Sequence, residues 1–367
     1  VISLILGVLI RSTLGLSAKK ACIERLMMNR LLRFFVIPFA VALTGLSSVA
    51  VFAQTNGQPS GQPVSPLITP AALKQLIERK AVRVLDIREL LQNDDKTPNY
   101  AAGHIPGAVA APYSDIRGNE DNPGAVISDE DLSGLLSKWG IQRDTYVVIA
   151  PTGSDGSDFG GAARFYWTLK LAGIPRVSIL EGGLGAWGAA GYPQETSTPE
   201  IKPTGIRVKL DKSQIVTTEQ VAHLIKQRTS GAKRLVLSDS RNEDYFKGTE
   251  KHSAQARAGT LPGAQNFDHE EWFQLNTGKL LPKAQLEKLA KEAGLLTNDE
   301  VITFCNTGHW SATTWFVLSE MLGQKNVRLY PESVISWSKT KYPMDNEPKR
   351  SKVLLDQLRQ AVANLRS

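Results

Sequence analysis

The residue in this sequence best suited to covalent chemistry is Cys305, which heads the run Cys305-Asn306-Thr307-Gly308-His309-Trp310. An apolar stretch, Val301 to Phe304, precedes it. Behind it, Trp310 to Leu322 reads as a helix with a broad apolar face made by Ala312, Trp315, Phe316, Leu318 and Met321. A thiol between a strand end and a helix start lies where free loop N–H groups and the positive end of the helix converge. Such a placement favours the thiolate, the form that attacks, and the same donors stabilise an anionic sulfur adduct. The bland alternative is a buried cysteine that only packs, a common fate of this residue type.

Cysteine usage weighs against that alternative. The chain has two cysteines, and Cys22 falls in a segment that reads as a leader. Arg30 and Arg33 precede an apolar run from Phe34 to Leu46 that ends in small residues near Val51-Phe52-Ala53, the order of a secretory signal starting at Met27 or Met28 and cleaved after Ala53. Pro38, Gly45 and two serines leave the run short of the ~20 residues that span a bilayer, so no membrane association is expected after cleavage. The mature chain then holds Cys305 alone, an unpaired thiol in an exported, periplasmic setting, which flags it as reactive. Residues 1–53 hold six Lys/Arg and one Glu, leaving 37 basic against 35 acidic residues of the formal +7. That balance removes the basis for a nucleic-acid partner.

The elements that must position the cysteine occur twice. After a polar Gly/Pro/Ser-rich lead-in at 54–64, a Thr-capped helix (Ala71 to Glu78; Thr218 to Lys226) precedes an apolar strand ending in Asp86-Ile87-Arg88 or Asp239-Ser240-Arg241. Next come the turns Gly103-His104-Ile105-Pro106-Gly107-Ala108 and Gly259-Thr260-Leu261-Pro262-Gly263-Ala264. Then buried strands (Tyr146 to Ile149; Val301 to Phe304) enter Ala150-Pro151-Thr152-Gly153 and Cys305-Asn306-Thr307-Gly308, and each half closes on a Trp and a Tyr-Pro pair. Pro106 to Ala150 is 44 positions and Pro262 to Cys305 is 43, which makes Ala150 the expected counterpart of the cysteine. Strands alternating with helices predict two α/β domains, 65–200 and 206–345, each a mainly parallel sheet flanked by helices. An amphipathic helix is expected at 350–367. The first copy has five more residues after its loop, predicting a longer loop that covers the interface.

These motifs, recurring in order over about residues 65–345, resemble tandem rhodanese domains, as in thiosulfate and 3-mercaptopyruvate sulfurtransferases. The resemblance implies that Cys305 accepts sulfane sulfur as a persulfide, cradled by Asn306, Thr307, Gly308, His309 and Trp310, and passes it to a small thiophilic acceptor or a protein thiol. It implies a first copy without a catalytic cysteine, no cofactor, and a hydroxyl at Thr307 near the reacting sulfur. Arg257 fits the arginine that grips an anionic substrate, a role a guanidinium suits. His309 and Trp310 depart from the commoner loops. His309 is read as a second substrate-binding residue, donating to a substrate oxygen or titrating near neutrality. Asp86 with Arg88, and Asp239 with Arg241, are read as structural ion pairs at strand ends, and His104 as part of a structural turn.

Other chemistries fit less well. A Cys-dependent phosphatase needs an arginine six residues after the cysteine, and that position is Ser311. A persulfide carrier without turnover remains the alternative function. The five histidines, at 104, 223, 252, 269 and 309, have no ligand spacing, so no metal is expected, and there is no Gly-rich phosphate motif.

Overall fold

A computed structural model describes residues 64–348 apart from 90, 93 and 94. The leader expected at 1–53, the lead-in up to residue 63 and the helix expected at 350–367 lie outside the described residues. Both copies fall within one compact unit.

In the first copy β1 (Leu67–Ile68), β2 (Arg83–Asp86), β3 (Val109–Ala110), β4 (Val147–Ala150) and β5 (Val177–Leu180) form a parallel sheet ordered β1-β5-β4-β2-β3. Its longer helices are α1 (Pro70–Glu78), α2 (Asp129–Lys138), α3 (Gly156–Leu171) and α4 (Gly183–Ala189). The second copy repeats the plan: β6 (Leu235–Asp239), β7 (Gln265–Asn266), β8 (Glu300–Phe304) and β9 (Val327–Leu329) pair in parallel as β9-β8-β6-β7. Ile215 bridges Leu329 in parallel at the edge that β1 occupies in the first sheet. The accompanying helices are α5 (Thr218–Thr229), α6 (Lys283–Glu292), α7 (Trp310–Phe316), which continues as one π-helical turn over Val317–Met321, and α8 (Ser333–Lys339).

The local causes are legible. Thr69 caps α1 by accepting the Ala72 N–H with Pro70 at its first position, and Thr217 caps α5 in a reciprocal box with Gln220. β4 is wholly buried and β8 nearly so, as parallel strands covered on both faces are. The outer face of each sheet has its own core, around Val148 and Trp187 or Ile302 and Trp337. A third core runs through both copies, because α3 packs on α7: Phe159 meets Phe273 and Phe316 edge-on at 5.5 and 5.6 Å, and Tyr166 meets Phe316 at 5.0 Å. This shared core brings the cysteine-free copy against the loop at Cys305. No helix among the described residues is long and apolar enough to cross a membrane.

Candidate active site

Cys305 follows β8 directly and is buried, 1% exposed, with Ser311 Oγ donating to its Sγ at 3.5 Å. Among the described residues, the amides of Asn306, Thr307, His309, Trp310 and Ser311 donate to no protein acceptor. Five unengaged donors thus lie within six residues of a thiol at the carboxyl edge of a parallel sheet, where ligands bind in this architecture. The Thr307 hydroxyl likewise has no hydrogen-bond partner among the described residues, and the residue is partly exposed.

The sheet registers correct the expected counterpart of the cysteine. Asp86 pairs with Ala150, but Asp239 pairs with Phe304. The first turns of α4 and α8 agree: Leu184 N–H donates to Pro151 O, and Val334 N–H to Cys305 O. Pro151, rather than Ala150, therefore occupies the cysteine's place. The shared Thr-Gly pair had shifted the count by one, and the first copy is longer by four residues between that position and Gly173/Gly323.

One pair of exchanges follows from this correspondence. Pro151 has no N–H, and its copy has Gly183 at the start of α4 with φ 56°. Cys305 has an N–H at a buried strand end, and its copy has Ser333 in the same left-handed conformation, φ 54°. The Ser333 hydroxyl accepts from Cys305 N–H and Gly308 N–H, each at 3.1 Å, and donates to Tyr330 O. A non-glycine residue there costs about 1–2 kcal/mol, offset by satisfying two buried donors.

The first copy also shows what such a loop holds. Its amides at Thr152, Gly153 and Ser154 converge on the Asp158 carboxylate at 3.2, 2.5 and 3.3 Å. By register, Thr152 and Gly153 match Asn306 and Thr307. The loop of the cysteine-free copy is an anion cradle filled by its own side chain.

The flanking charges divide into scaffold and site. Arg88 pairs with Asp86 and donates to Gly103 O, while Arg241 pairs with Asp239, donates to Gly259 O, and reaches Asn306 Oδ1 at 3.4 Å. The second pair, wholly buried, therefore also steadies the loop. His104 is buried on Tyr100, between the carbonyls of Tyr100 and Ser197. Arg257 departs from the substrate-binding expectation: its guanidinium donates to the carbonyls of Ser338, Thr340 and Tyr342 and faces Glu347 at 3.4 Å. It ties the 338–347 segment to the turn before Gly259 and has its donors committed there.

His309 is also placed differently from the expectation, because both ring nitrogens face the first copy. Nε2 lies 2.7 Å from Ser157 O, and Nδ1 lies 2.9 Å from the Tyr113 hydroxyl. A carbonyl only accepts, so Nε2 carries the proton and Nδ1 accepts from Tyr113 O–H. Tyr113 in turn accepts from Arg117 Nη1 at 2.8 Å. The ring lies on Gly160, where a Cβ would come within 3.2 Å of it. Trp310 Nε1 donates to Ser157 Oγ at 3.0 Å, and its indole stacks on His269 at 4.8 Å. The first copy therefore touches this loop at Ser157, at the start of α3.

Burial, reinforced by the nearby Arg117, pushes the His309 imidazole down to about 3. It is neutral in the folded protein at pH values where the unfolded chain, with an ordinary value of 6.5, already binds a proton. Stability from this residue is therefore intact above about pH 6.5 and declines as pH falls toward about 3. Melting temperatures of wild type and His309→Gln should converge on acidification, with wild type losing more. Parallel curves would refute the assignment.

Arg164, from the middle of α3, is wholly buried and reaches the Cys305 loop from behind. Nη1 lies 3.4 Å from Thr307 O and 3.3 Å from Gly308 O, and Nη2 donates to Gly124 O at 2.9 Å and Ala125 O at 3.4 Å. Nε has no partner, and no carboxylate pairs with the side chain among the described residues. Burial, then the like charge of Arg117, pushes it down to about 9, against the opposing pull of Tyr113 and Cys305. Gly308, at φ 67°, must lack a side chain here, since a Cβ would lie 2.5 Å from both Arg164 Nη1 and Pro331 O. Drawing the Thr307 and Gly308 carbonyls toward Arg164 turns the following amides the other way, because a trans peptide opposes its C=O and N–H.

A profile of the rhodanese-like domain matches residues 69–190 and 221–340. The thiosulfate sulfurtransferase of Corynebacterium glutamicum is 31% identical over 258 residues, covering 68% of this chain and 81% of that protein. That of Pseudomonas aeruginosa is 32% identical over 242 residues, covering 65% and 83%. The solved structure of SseA from Escherichia coli, described as a 3-mercaptopyruvate sulfotransferase, superposes with a TM-score of 0.62 at 21% identity over 74% of this chain and 99% of SseA, a likeness of fold. Two matched copies, one bearing a cysteine at the strand-to-helix loop, make this chain a tandem-domain member of the rhodanese family of sulfurtransferases.

Proposed function

We propose that the chain moves sulfane sulfur from thiosulfate or 3-mercaptopyruvate to a thiophilic acceptor, cyanide or a small or protein thiol, through a Cys305 persulfide. The carrying observation is the pair of loops: at Asn306 and Thr307 the Cys305 loop keeps free two amides whose counterparts, Thr152 and Gly153, hold a carboxylate in the cysteine-free copy. A persulfide is the anion that chemistry at Cys305 would generate there.

With thiosulfate, the Cys305 thiolate attacks the outer sulfur, the S–S bond breaks, and sulfite leaves with the bonding pair. The acceptor then attacks the outer sulfur of the persulfide, and the Cys305 thiolate leaves. With 3-mercaptopyruvate the C–S bond breaks instead, and pyruvate departs after protonation at carbon. An exported, periplasmic site of action belongs to the same proposal and rests on the leader at residues 1–53.

Because the first product leaves before the acceptor binds, initial rates with thiosulfate and cyanide should give parallel double-reciprocal lines. Intersecting lines would contradict the persulfide route.

A further inference from the structure

The sulfur-transfer reading brings an anionic donor to a thiolate, so the site needs positive charge. In the second copy, Arg241 is neutralised by Asp239, Arg257 is committed to the 338–347 segment, and His309 is neutral. The cations beside the loop that lack a carboxylate partner among the described residues are Arg117 and Arg164, both from the cysteine-free copy. Arg164 is enclosed behind the loop and cannot meet a ligand. Arg117 is partly exposed.

We propose that Arg117 is a substrate-contacting residue, taking the oxyanion end of the donor: the sulfonate of thiosulfate or the carboxylate of a mercapto acid. The assignment rests on the reading above. Its guanidinium is fixed at one corner only, with Nη1 on the Tyr113 hydroxyl at 2.8 Å and Cζ 5.1 Å from the centre of the Tyr113 ring. Nε and Nη2 have no partner among the described residues, which leaves the edge that binds a carboxylate or sulfonate in a fork. Tyr113 links this cation to the catalytic loop through His309, and lies in electrostatic range of Arg117, Arg164 and Cys305 alike. The charged and titratable groups facing the loop are thus Tyr113, Arg117 and Arg164 from one copy, and from the other His309, the Asp239–Arg241 pair, and His269, which lies on Trp310 beside Asp268 and Glu270. The copy that lost the nucleophile supplies the donor's anchor.

The test compares alkylation of Cys305 by iodoacetate, an anion, with alkylation by neutral iodoacetamide, in the full chain. Both displace iodide at the same sulfur, so their rate ratio reports charge recognition and cancels access and folding. Arg117→Gln should lower the iodoacetate-to-iodoacetamide ratio about tenfold, the effect of one charge at short range in a partly buried site. Arg117→Lys should retain most of it, and melting temperature should be unchanged in both. A ratio unmoved in Arg117→Gln, or equal slowing with both reagents, overturns the assignment. If wild type makes no thiocyanate from thiosulfate yet its ratio depends on Arg117, the sulfur-transfer reading falls and the anion site stands.

Discussion

Cys305→Ala should abolish sulfur transfer while leaving the protein folded. On the proposed route the thiolate is the nucleophile and the carrier of the transferred atom, and no other cysteine lies among the described residues to substitute for it. The structural cost is small, because removing one buried sulfur leaves a void worth about 1–2 kcal/mol, and the loop is held by groups other than the thiol. Ser333 binds the backbone N–H of residue 305, and Val334 and Ile335 donate to the carbonyls of 305 and 306. Steady-state turnover should fall by at least about a thousandfold, with melting temperature and circular dichroism nearly unchanged. Substantial residual turnover would place the chemistry elsewhere.

Arg164→Met should cost on the order of a hundredfold in kcat/KM while changing stability by less than about 2 kcal/mol. The two effects separate because a buried cation without a counter-charge is expensive to hold. Replacing it by an apolar chain of similar length relieves desolvation, even as the Gly124, Ala125, Thr307 and Gly308 carbonyls lose a donor. Carbonyls tolerate that better than N–H groups do. Catalysis has no such compensation, since the loop loses both the field behind it and the pull that orients its amides. Arg164→Lys keeps the charge without the fork and should fall between. The prediction is checked by kcat/KM beside thermal melts, and global unfolding of Arg164→Met would show the residue to be chiefly a structural clamp.

Much of this was readable from residue order. The duplicated caps, strand ends and turns predict two parallel α/β copies, and Cys305 stands out by its place between strand and helix. What depended on counting was less secure: Thr152-Gly153 aligned on Thr307-Gly308 by letter, whereas hydrogen bonding sets Pro151 against Cys305. Contacts between the copies were not readable at all. Whether His309 faces solvent, substrate or a partner domain is decided by how α3 packs on α7, and Arg257 could not be seen to find its carbonyls across 80 residues of chain. Arg164 did leave a signal, a lone charge within the otherwise small and apolar run Phe159 to Trp167. Arg117 left none, since a loop arginine is ordinary until its neighbours are known.

In the proposed reaction Cys305 carries the transferred sulfur. Intact and peptide mass spectra of the protein after thiosulfate treatment test it most directly. A gain of one sulfur atom located on Cys305 is expected, lost on adding cyanide with release of one equivalent of thiocyanate. An unmodified Cys305 in protein that still turns thiosulfate over would contradict it.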